Sequence, residues 1–142
     1  MTIIDQLEGI ELREAVAREV MGLEKRTLMM EPQFNRGAPL VESTNWWEGG
    51  IIMYGPRGLI KSLPCYESSI EAAWQVAEKM RESAEGWVLR LFDQRDLGDG
   101  QWRADFVHGQ DHDKWGDFHS AKAATAPLAI SRAALRAIRE AK

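Results

Sequence analysis

The segment with the greatest potential for chemistry runs from His108 to His119. It holds all three histidines, including His112, together with three aspartates. Imidazole nitrogens and carboxylate oxygens are good ligands for zinc or manganese, so one hypothesis is a metal-dependent hydrolase built on this segment. The spacing does not follow the HExxH pattern, because His108 and His112 flank Gly109 and no glutamate lies between them. We therefore favour an exposed polar connection with no metal and no cofactor.

Tryptophan supplies six of the twelve aromatic residues, and three tryptophans lie in polar segments. Trp46, Trp47 and Trp115 have neighbours whose pattern predicts no burial. A flat indole ring stacks on a nucleotide base, and it also anchors protein interfaces. The alternative is that these rings cover small hydrophobic clusters beneath long loops.

Three arginines are placed where they could meet an anion. Arg57 lies in the turn Gly55-Pro56-Arg57-Gly58, where backbone amides could also contact a phosphate, although a solvated turn arginine is the alternative. Arg90 and Arg103 could pair across strands and form an anion-attracting patch, unless each simply meets Asp105. No P-loop or GxGxxG motif is present. The predicted ligand-binding set is Trp46, Trp47, Arg57, Arg90, Arg103, His112, Trp115 and His119.

Nucleophilic catalysis has little support in the sequence. Cys65 is the single cysteine, follows Pro64 and has no histidine near it in the chain. No GxSxG or paired-acid motif occurs. We therefore predict that the protein is not an enzyme.

Composition limits the class of protein further. The 142 residues are 44% hydrophobic, which fits one domain over residues 1–142 with its own core. The net charge of −4 argues against a nucleic-acid polymer as the main partner. No secretory signal or membrane-spanning stretch is evident, so we expect no membrane partner and a cytoplasmic location.

Periodicity predicts the elements that must position these side chains. A first helix is predicted over residues 11–21, and a hairpin over 50–54 and 59–63. A second helix follows a Ser68/Glu71 capping box, with Ile70, Ala73, Trp74, Ala77 and Met80 on one apolar face.

The second half of the chain continues the alternation. Residues 87–92 and 101–107 are predicted strands joined by a glycine-rich turn, with Trp87 and Trp102 as packing residues. A polar loop over 108–120 precedes a last helix capped by Thr125. Arg132, Arg136 and Arg139 are predicted to form a solvated stripe on this helix, with an interface as the alternative.

The predicted fold class is α+β, a layered α-β-α sandwich. It has an antiparallel sheet made of two hairpins packed by three helices, in the order α-ββ-α-ββ-α. Residues 31–50 and 108–121 are predicted to be enlarged loops.

Several segments resemble the bacteriophage ABA-sandwich domain. The similarity lies in residues 63–80 and 124–135, and in the amino-terminal residues 12–17 and 20–22. The resemblance implies a small phage or prophage accessory protein with helices on both faces of a sheet, acting in the host cytoplasm. It implies no activity, because the family is defined by its fold and the similar residues are mostly core and cap positions.

These observations lead to three functional hypotheses. The preferred one is a non-catalytic phage protein that sequesters a small anionic nucleotide-like host signal against host defence. It would act as a homo-oligomer through the C-terminal helix. The alternatives are an interaction module that inhibits or adapts a host protein, and the metal-dependent hydrolase on the His108–His119 loop.

Overall fold

The computed structural model describes residues 4–30, 41–47, 51–55, 58–83, 85–98, 100–108 and 118–140. Contacts divide the chain into two compact units. The main unit comprises Met1–Gly22 and Pro64–Lys142, and the inserted unit comprises Leu23–Leu63. Whether residues 1–142 behave as the single domain expected from their length stays a prediction.

The inserted unit is built from antiparallel strand pairs. Strands β1 (Lys25–Met30) and β2 (Val41–Trp47) pair with each other, as do β3 (Ile51–Gly55) and β4 (Gly58–Ser62). The second pair confirms the predicted hairpin. The loop predicted over residues 31–50 is wrong for residues 41–47, because β-branched and aromatic residues in that stretch favour a strand.

The main unit begins with helical segments. A short 3-10 turn (Ile4–Gln6) precedes α1 (Gly9–Ala15), which continues into a π-helical segment (Val16–Val20). Leu12, Val16 and Val20 are all buried, as their four-residue spacing predicts. Gly22 has φ of +69°, a conformation that glycine adopts without strain, and it follows the end of the helix as predicted.

Helix α2 (Ile70–Glu82) starts one residue later than the predicted capping box implies. Ser69, not Ser68, is the N-cap, and its Oγ accepts a hydrogen bond from the Ala72 amide at 3.3 Å. Ser68 instead lies in a turn in which its amide donates to the Cys65 carbonyl at 3.1 Å. The local turn therefore decides which of the two adjacent serines caps the helix.

The buried face of α2 also differs from the predicted one. Ala72, Ala73, Val76 and Met80 are buried, whereas Trp74 is 54% exposed. The prediction that Trp74 is a core residue is therefore wrong. The apolar arc of this helix is wider than its contact with the rest of the unit, so one edge of the arc faces solvent.

The last helix, α3 (Ala126–Glu140), is the centre of the main unit. Thr125 caps it as predicted, with Oγ1 accepting from the Leu128 amide at 3.4 Å. Its buried residues lie against the sheet, α2 and the π-helical segment. Since the apolar side of α3 is buried within its own unit, the helix has little apolar surface left for the subunit interface expected there.

The sheet of the main unit has three antiparallel strands in the order β5-β6-β7. They are β5 (Val88–Gln94), β6 (Gln101–Val107) and β7 (Phe118–Ala123). The first two confirm the predicted hairpin, and Trp87, at 3% exposed, packs as predicted. Strand β7 lies partly in the predicted polar loop, which is therefore wrong from Phe118 onward.

The architecture combines helices with antiparallel strands, as expected for an α+β layered fold. The two-hairpin layout and the order α-ββ-α-ββ-α are wrong, because a second strand pair precedes α2 and a third strand joins the later sheet. Helix α3 makes the main contact with that sheet, and α2 reaches only β5. Among the described helices, none has the length and apolar composition required to cross a membrane.

Candidate anion-binding site

The register of the three-stranded sheet aligns charged side chains on one face. Arg103 of β6 lies opposite Phe92 of β5 and Lys122 of β7. In the next row, Asp105 lies opposite Arg90 and Ser120. Side chains alternate along a strand, so these rows share the face turned away from the buried Ala104 and Phe106. We call this surface the cationic face; it comprises Arg90, Phe92, Arg103, Asp105, Phe118 and Lys122.

Asp105 is the electrostatic centre of the cationic face. It is 1% exposed, and its Oδ1 accepts a hydrogen bond from Arg103 Nε at 2.9 Å. Arg90 Nη2 lies 3.8 Å from Asp105 Oδ2. The structure thus brings the predicted Arg90 and Arg103 together in the alternative way that the sequence left open, with both meeting Asp105.

Two phenylalanine rings fix the orientation of these arginines. The guanidinium carbon of Arg103 lies 5.7 Å from the centre of the Phe92 ring and 5.6 Å from that of Phe118. The corresponding Arg90–Phe118 distance is 5.9 Å. Cations within about 6 Å of an aromatic centre are attracted by the ring quadrupole. Contacts of this kind restrict the orientation of the guanidinium groups.

Helix α3 contributes two further arginines at the outer edge of β7. Arg136 Nη1 donates to the Ser120 carbonyl at 2.8 Å, while Arg132 Nε and Nη2 both donate to the Leu7 carbonyl at 3.1 Å. The predicted solvated stripe is therefore wrong, and Arg139 also has a specific partner, the Glu19 carboxylate. Carbonyl acceptors are neutral, so they orient Arg132 and Arg136 without cancelling their charge.

A cleft of about 460 Å³ opens between β7 and α3. This volume lies within the range of small-ligand sites, roughly 300–1,000 Å³. We call it the β7–α3 cleft; it is lined by Gln101, Ser120, Ala121, Lys122, Arg132 and Arg136. Lys122 belongs to both the cleft and the cationic face, so the two surfaces are continuous.

Among the described residues, cationic side chains gather on the cationic face and in the cleft: Arg90, Arg103, Lys122, Arg132 and Arg136. The carboxylates described beside them are Asp105 and Glu140, whose Oε1 lies 3.8 Å from Arg136 Nε. In a protein with a net charge of −4, this concentration of basic residues makes the region a candidate anion site.

His119 of the predicted set lies on the other face of the sheet. It is opposite Phe106 in the register, and its Nδ1 lies 2.7 Å from Glu140 Oε2. Its ring meets the edge of Trp87 at a centroid distance of 5.4 Å, and His108 meets the same indole at 5.3 Å. These contacts give His119 a packing role at the end of β7, and its role as a ligand contact stays a prediction.

The other residues of the predicted ligand-binding set are either buried or outside the described part of the chain. Trp47 lies at the end of β2 and is 5% exposed, so its ring has almost no surface to offer a ligand. Trp46 is in the same strand, but its side chain falls outside the described part of the structure. Three further members of the predicted set also lie outside the described residues: Arg57, His112 and Trp115.

The residues that sequence reasoning missed are Lys122, Arg132 and Arg136. Lys122 alternates with the buried Ala121 and Ala123, a pattern that marks an outward-facing strand residue. Short alanines gave that strand a weak hydrophobic signal. Arg132 and Arg136 were recognised as a stripe, but only the packing of α3 against β7 shows what they line.

The metal-site hypothesis concerns residues that are mostly outside the description. Within the described ranges, which stop at residue 108 and resume at residue 118, no group of three His, Cys, Asp or Glu residues is arranged to hold a metal. His112 and the three aspartates of the segment lie between these ranges. The hydrolase on the His108–His119 loop therefore stays a hypothesis.

Comparison with known proteins places the fold. The family model described as the phage ABA sandwich domain matches residues 14–135. A crystal structure of a phage protein from Bacillus cereus ATCC 14579 is similar, with a TM-score of 0.57 and 18% sequence identity. The similarity covers 97% of this chain and 99% of that protein, and at this identity it concerns the fold alone. No curated protein matches the sequence. Because the family model spans most of the chain, the protein belongs to the phage ABA sandwich domain family.

Proposed function

We propose that this phage protein is a non-catalytic binding protein that sequesters a small anionic, nucleotide-like host signal in the β7–α3 cleft. The observation that carries the proposal is the convergence of Lys122, Arg132 and Arg136 on one open cleft. Arginine offers several N–H donors in a fixed plane, a geometry that suits phosphate oxygens. A phosphate group bound there would contact cations from both β7 and α3.

Preorganisation supports binding by this cleft. Arg132 and Arg136 are held by the backbone carbonyls of Leu7 and Ser120, so their orientation does not depend on the ligand. A site that is already ordered loses less conformational entropy when it binds. On the cationic face, separated from Lys122 by Arg103, Phe92 is 41% exposed and offers a ring on which a base or ribose could rest.

The chemistry of the lining residues favours binding over catalysis. Arginine remains protonated throughout the physiological pH range, so it does not act as a general base. The other polar groups of the cleft are the amide of Gln101, the hydroxyl of Ser120 and the ammonium group of Lys122. This set can hold an anion and leave it unchanged. Sequestration of a host signal is consistent with a stoichiometric role for a phage accessory protein.

Depletion of nucleotides from solution tests the proposal. Purified protein is incubated with a panel of cyclic mono- and oligonucleotides, removed by filtration, and then heat-denatured to release what it bound. We expect one class of nucleotide to be depleted and recovered intact. Lys122→Ala should weaken its binding about tenfold, since one charge-assisted contact to phosphate is lost. Lys79→Ala removes an exposed lysine of α2 outside the cleft and serves as the matched control.

Each outcome of this experiment separates the hypotheses. A nucleotide recovered as a cleaved product would contradict sequestration and favour the hydrolase. No depletion by any member of the panel would contradict it too, and would leave the interaction module as the better hypothesis. Equal loss of binding in Lys122→Ala and Lys79→Ala would contradict the assignment to the β7–α3 cleft.

A further inference from the structure

Glu140 is a carboxylate beside the β7–α3 cleft, at a position that helix stability does not explain. It is the last residue of α3, and its Oε1 lies 3.8 Å from the Nε of Arg136, one helical turn earlier. The carboxyl end of a helix carries the negative end of the helix dipole, so an acidic side chain there is unfavourable. A basic residue followed by an acidic one four residues later is also the weaker order for an ion pair on a helix. We therefore expect Glu140 to act on the charge of the cleft and not on the stability of α3.

His119 holds this carboxylate from the neighbouring strand β7. Its Nδ1 lies 2.7 Å from Glu140 Oε2, which is hydrogen-bond distance. The side chain of His119 is 20% exposed, while that of Glu140 is 54% exposed. The two oxygens of the carboxylate thus have different partners, since Oε2 meets the imidazole and Oε1 lies near the guanidinium of Arg136. One carboxylate therefore links a titratable side chain to a cation that lines the cleft.

Arg136 is anchored by a contact that does not involve Glu140. Its Nη1 donates a hydrogen bond to the Ser120 carbonyl at 2.8 Å, and its side chain is 26% exposed. The 3.8 Å distance between Arg136 Nε and Glu140 Oε1 is too long for a hydrogen bond, so this pair is an ionic contact. A change in the charge around Glu140 would therefore alter the electrostatic potential at Arg136 while the guanidinium group stays in place.

The other described groups that face His119 are aromatic. Trp87, which precedes β5, packs edge-to-face with the imidazole ring at a centroid distance of 5.4 Å. Phe106 of β6 lies opposite His119 in the strand register. His108, directly after β6, contacts the same indole at 5.3 Å and is the other titratable group of this cluster. Within the described part of the chain, Glu140 is therefore the charged group in contact with His119.

We propose that the His119–Glu140 pair makes anion binding in the β7–α3 cleft depend on pH. This inference rests on the proposed function of the cleft and adds a means of regulating it. Histidine is the side chain whose charge ordinarily changes between pH 5 and 8. While the imidazole is neutral, the Glu140 carboxylate adds a negative charge beside Arg136 that opposes an incoming anion. Once the imidazole is protonated, its positive charge balances that of Glu140, and the cleft binds the anion more tightly.

Titration with sulfate tests this dependence, because sulfate keeps the same charge throughout the range in which histidine titrates. Binding is followed through the backbone amide signal of Lys122 at about pH 5.5 and at about pH 7.5, on either side of the ordinary histidine value. At low ionic strength, the wild-type protein should bind about three-fold to five-fold more tightly at the lower pH, as expected for one charge a few ångströms away near the surface. Glu140→Gln should bind at the higher pH about as tightly as the wild type does at the lower pH. His119→Gln should bind equally at both pH values.

Glu19→Gln and His108→Gln are the matched controls. Glu19 pairs with Arg139 of the same helix outside the cleft, and His108 contacts the same indole as His119. Both variants should keep the wild-type pH dependence. The proposal is overturned by equal wild-type affinities at the two pH values, by a His119→Gln protein that keeps the dependence, or by a control that loses it. A Glu140→Gln protein with wild-type affinity at the higher pH would overturn it as well.

A measurement without ligand separates this inference from the proposed function. In the free protein, the Nε–Hε signal of Arg136 should move with pH over the same range as the ring signals of His119, and it should stay in place in His119→Gln. Coupling of these signals without any binding of sulfate or nucleotide would contradict the anion site itself. An Arg136 signal that ignores the titration of His119, in a protein that does deplete a nucleotide, would overturn the role of His119 and Glu140 alone.

Discussion

At the residue scale, the cationic face depends on a balance between one carboxylate and two guanidinium groups. Asp105 is almost fully buried, while the side chains of Arg90 and Arg103 are 36% and 31% exposed. A buried carboxylate is tolerated because Arg103 donates to it directly. The same arrangement places two guanidinium groups at the surface beside a buried carboxylate. We therefore expect the Asp105 carboxylate to stabilise the fold and, at the same time, to lower the affinity of this surface for anions.

Asp105→Asn should change the stability and the anion affinity in opposite directions. Removing the carboxylate leaves two guanidinium groups close together and removes a hydrogen bond between charged groups, so the free energy of unfolding should fall by about 2–3 kcal/mol. Anion affinity of the folded protein should rise, because one negative charge is lost from the cationic face. Chemical denaturation and calorimetric titration with the depleted nucleotide measure the two effects.

Asp93→Asn is the matched control for this substitution. Asp93 also pairs with an arginine, Arg95, but both side chains are largely exposed. Solvent screens such pairs, so neither stability nor affinity should change appreciably. An Asp105→Asn protein that is as stable as the Asp93→Asn protein would contradict the role given to Asp105.

Ionisation of Tyr66 should make the free energy of unfolding depend on pH in the alkaline range. It is 1% exposed, and burial raises the pKa of its phenol from 10.0 to about 12. Between these values the unfolded chain has released the proton while the folded chain keeps it. The unfolded state thus binds fewer protons, so the free energy of unfolding should fall as pH rises from 10 to 12.

Unfolding curves across this alkaline range check the assignment. Phenylalanine lacks the ionisable group, so Tyr66→Phe should lose the part of the slope that comes from Tyr66. Absorbance of the phenolate band in the folded protein should show one tyrosine that ionises late. A slope that is unchanged in Tyr66→Phe would assign the pH dependence to other groups.

At the scale of elements, the sequence predicts those with a strong periodic or capping signal. Strand β6 is predicted with the bounds observed, because Trp102, Ala104 and Phe106 alternate with charged residues. Strand β7 is missed because its inward residues are alanines, whose hydrophobic signal is weak. Those alanines are what allow α3 to approach the sheet. The cleft could not be predicted, because one of its two walls, β7, was not predicted as a strand.

The helix caps illustrate the limit of a local motif. Both Ser68 and Ser69 have the side chain that an N-cap needs, but Ser69 holds the position before α2. Ser69→Ala should therefore lower the free energy of unfolding by about 1 kcal/mol. Ser68→Ala, at an exposed turn position, should change it by less than about 0.5 kcal/mol. Urea denaturation of the two variants decides the matter, and a larger loss in Ser68→Ala would contradict the cap assignment.

At the scale of the whole molecule, the charge is unevenly distributed. The chain carries 22 acidic and 18 basic residues, yet five of the basic residues gather on the cationic face and in the β7–α3 cleft. A molecule of negative net charge with a positive region among its described residues attracts small anions there, while its net charge repels long polyanions. That distribution agrees better with a nucleotide-sized ligand than with a nucleic-acid polymer. Membership of the phage family provides the setting of the proposal, and the charge pattern supports the proposed class of ligand.

Nuclear magnetic resonance of the arginine side chains tests the central claim most directly. During titration with the depleted nucleotide, the Nε–Hε signals of Arg132 and Arg136 should shift at the same concentrations as the Lys122 backbone amide. The signal of Arg139, which is held by Glu19 outside the cleft, should stay in place. Shifts confined to Arg139 or to residues outside the cleft, or no shift at all, would contradict the assignment of this cleft as the anion site.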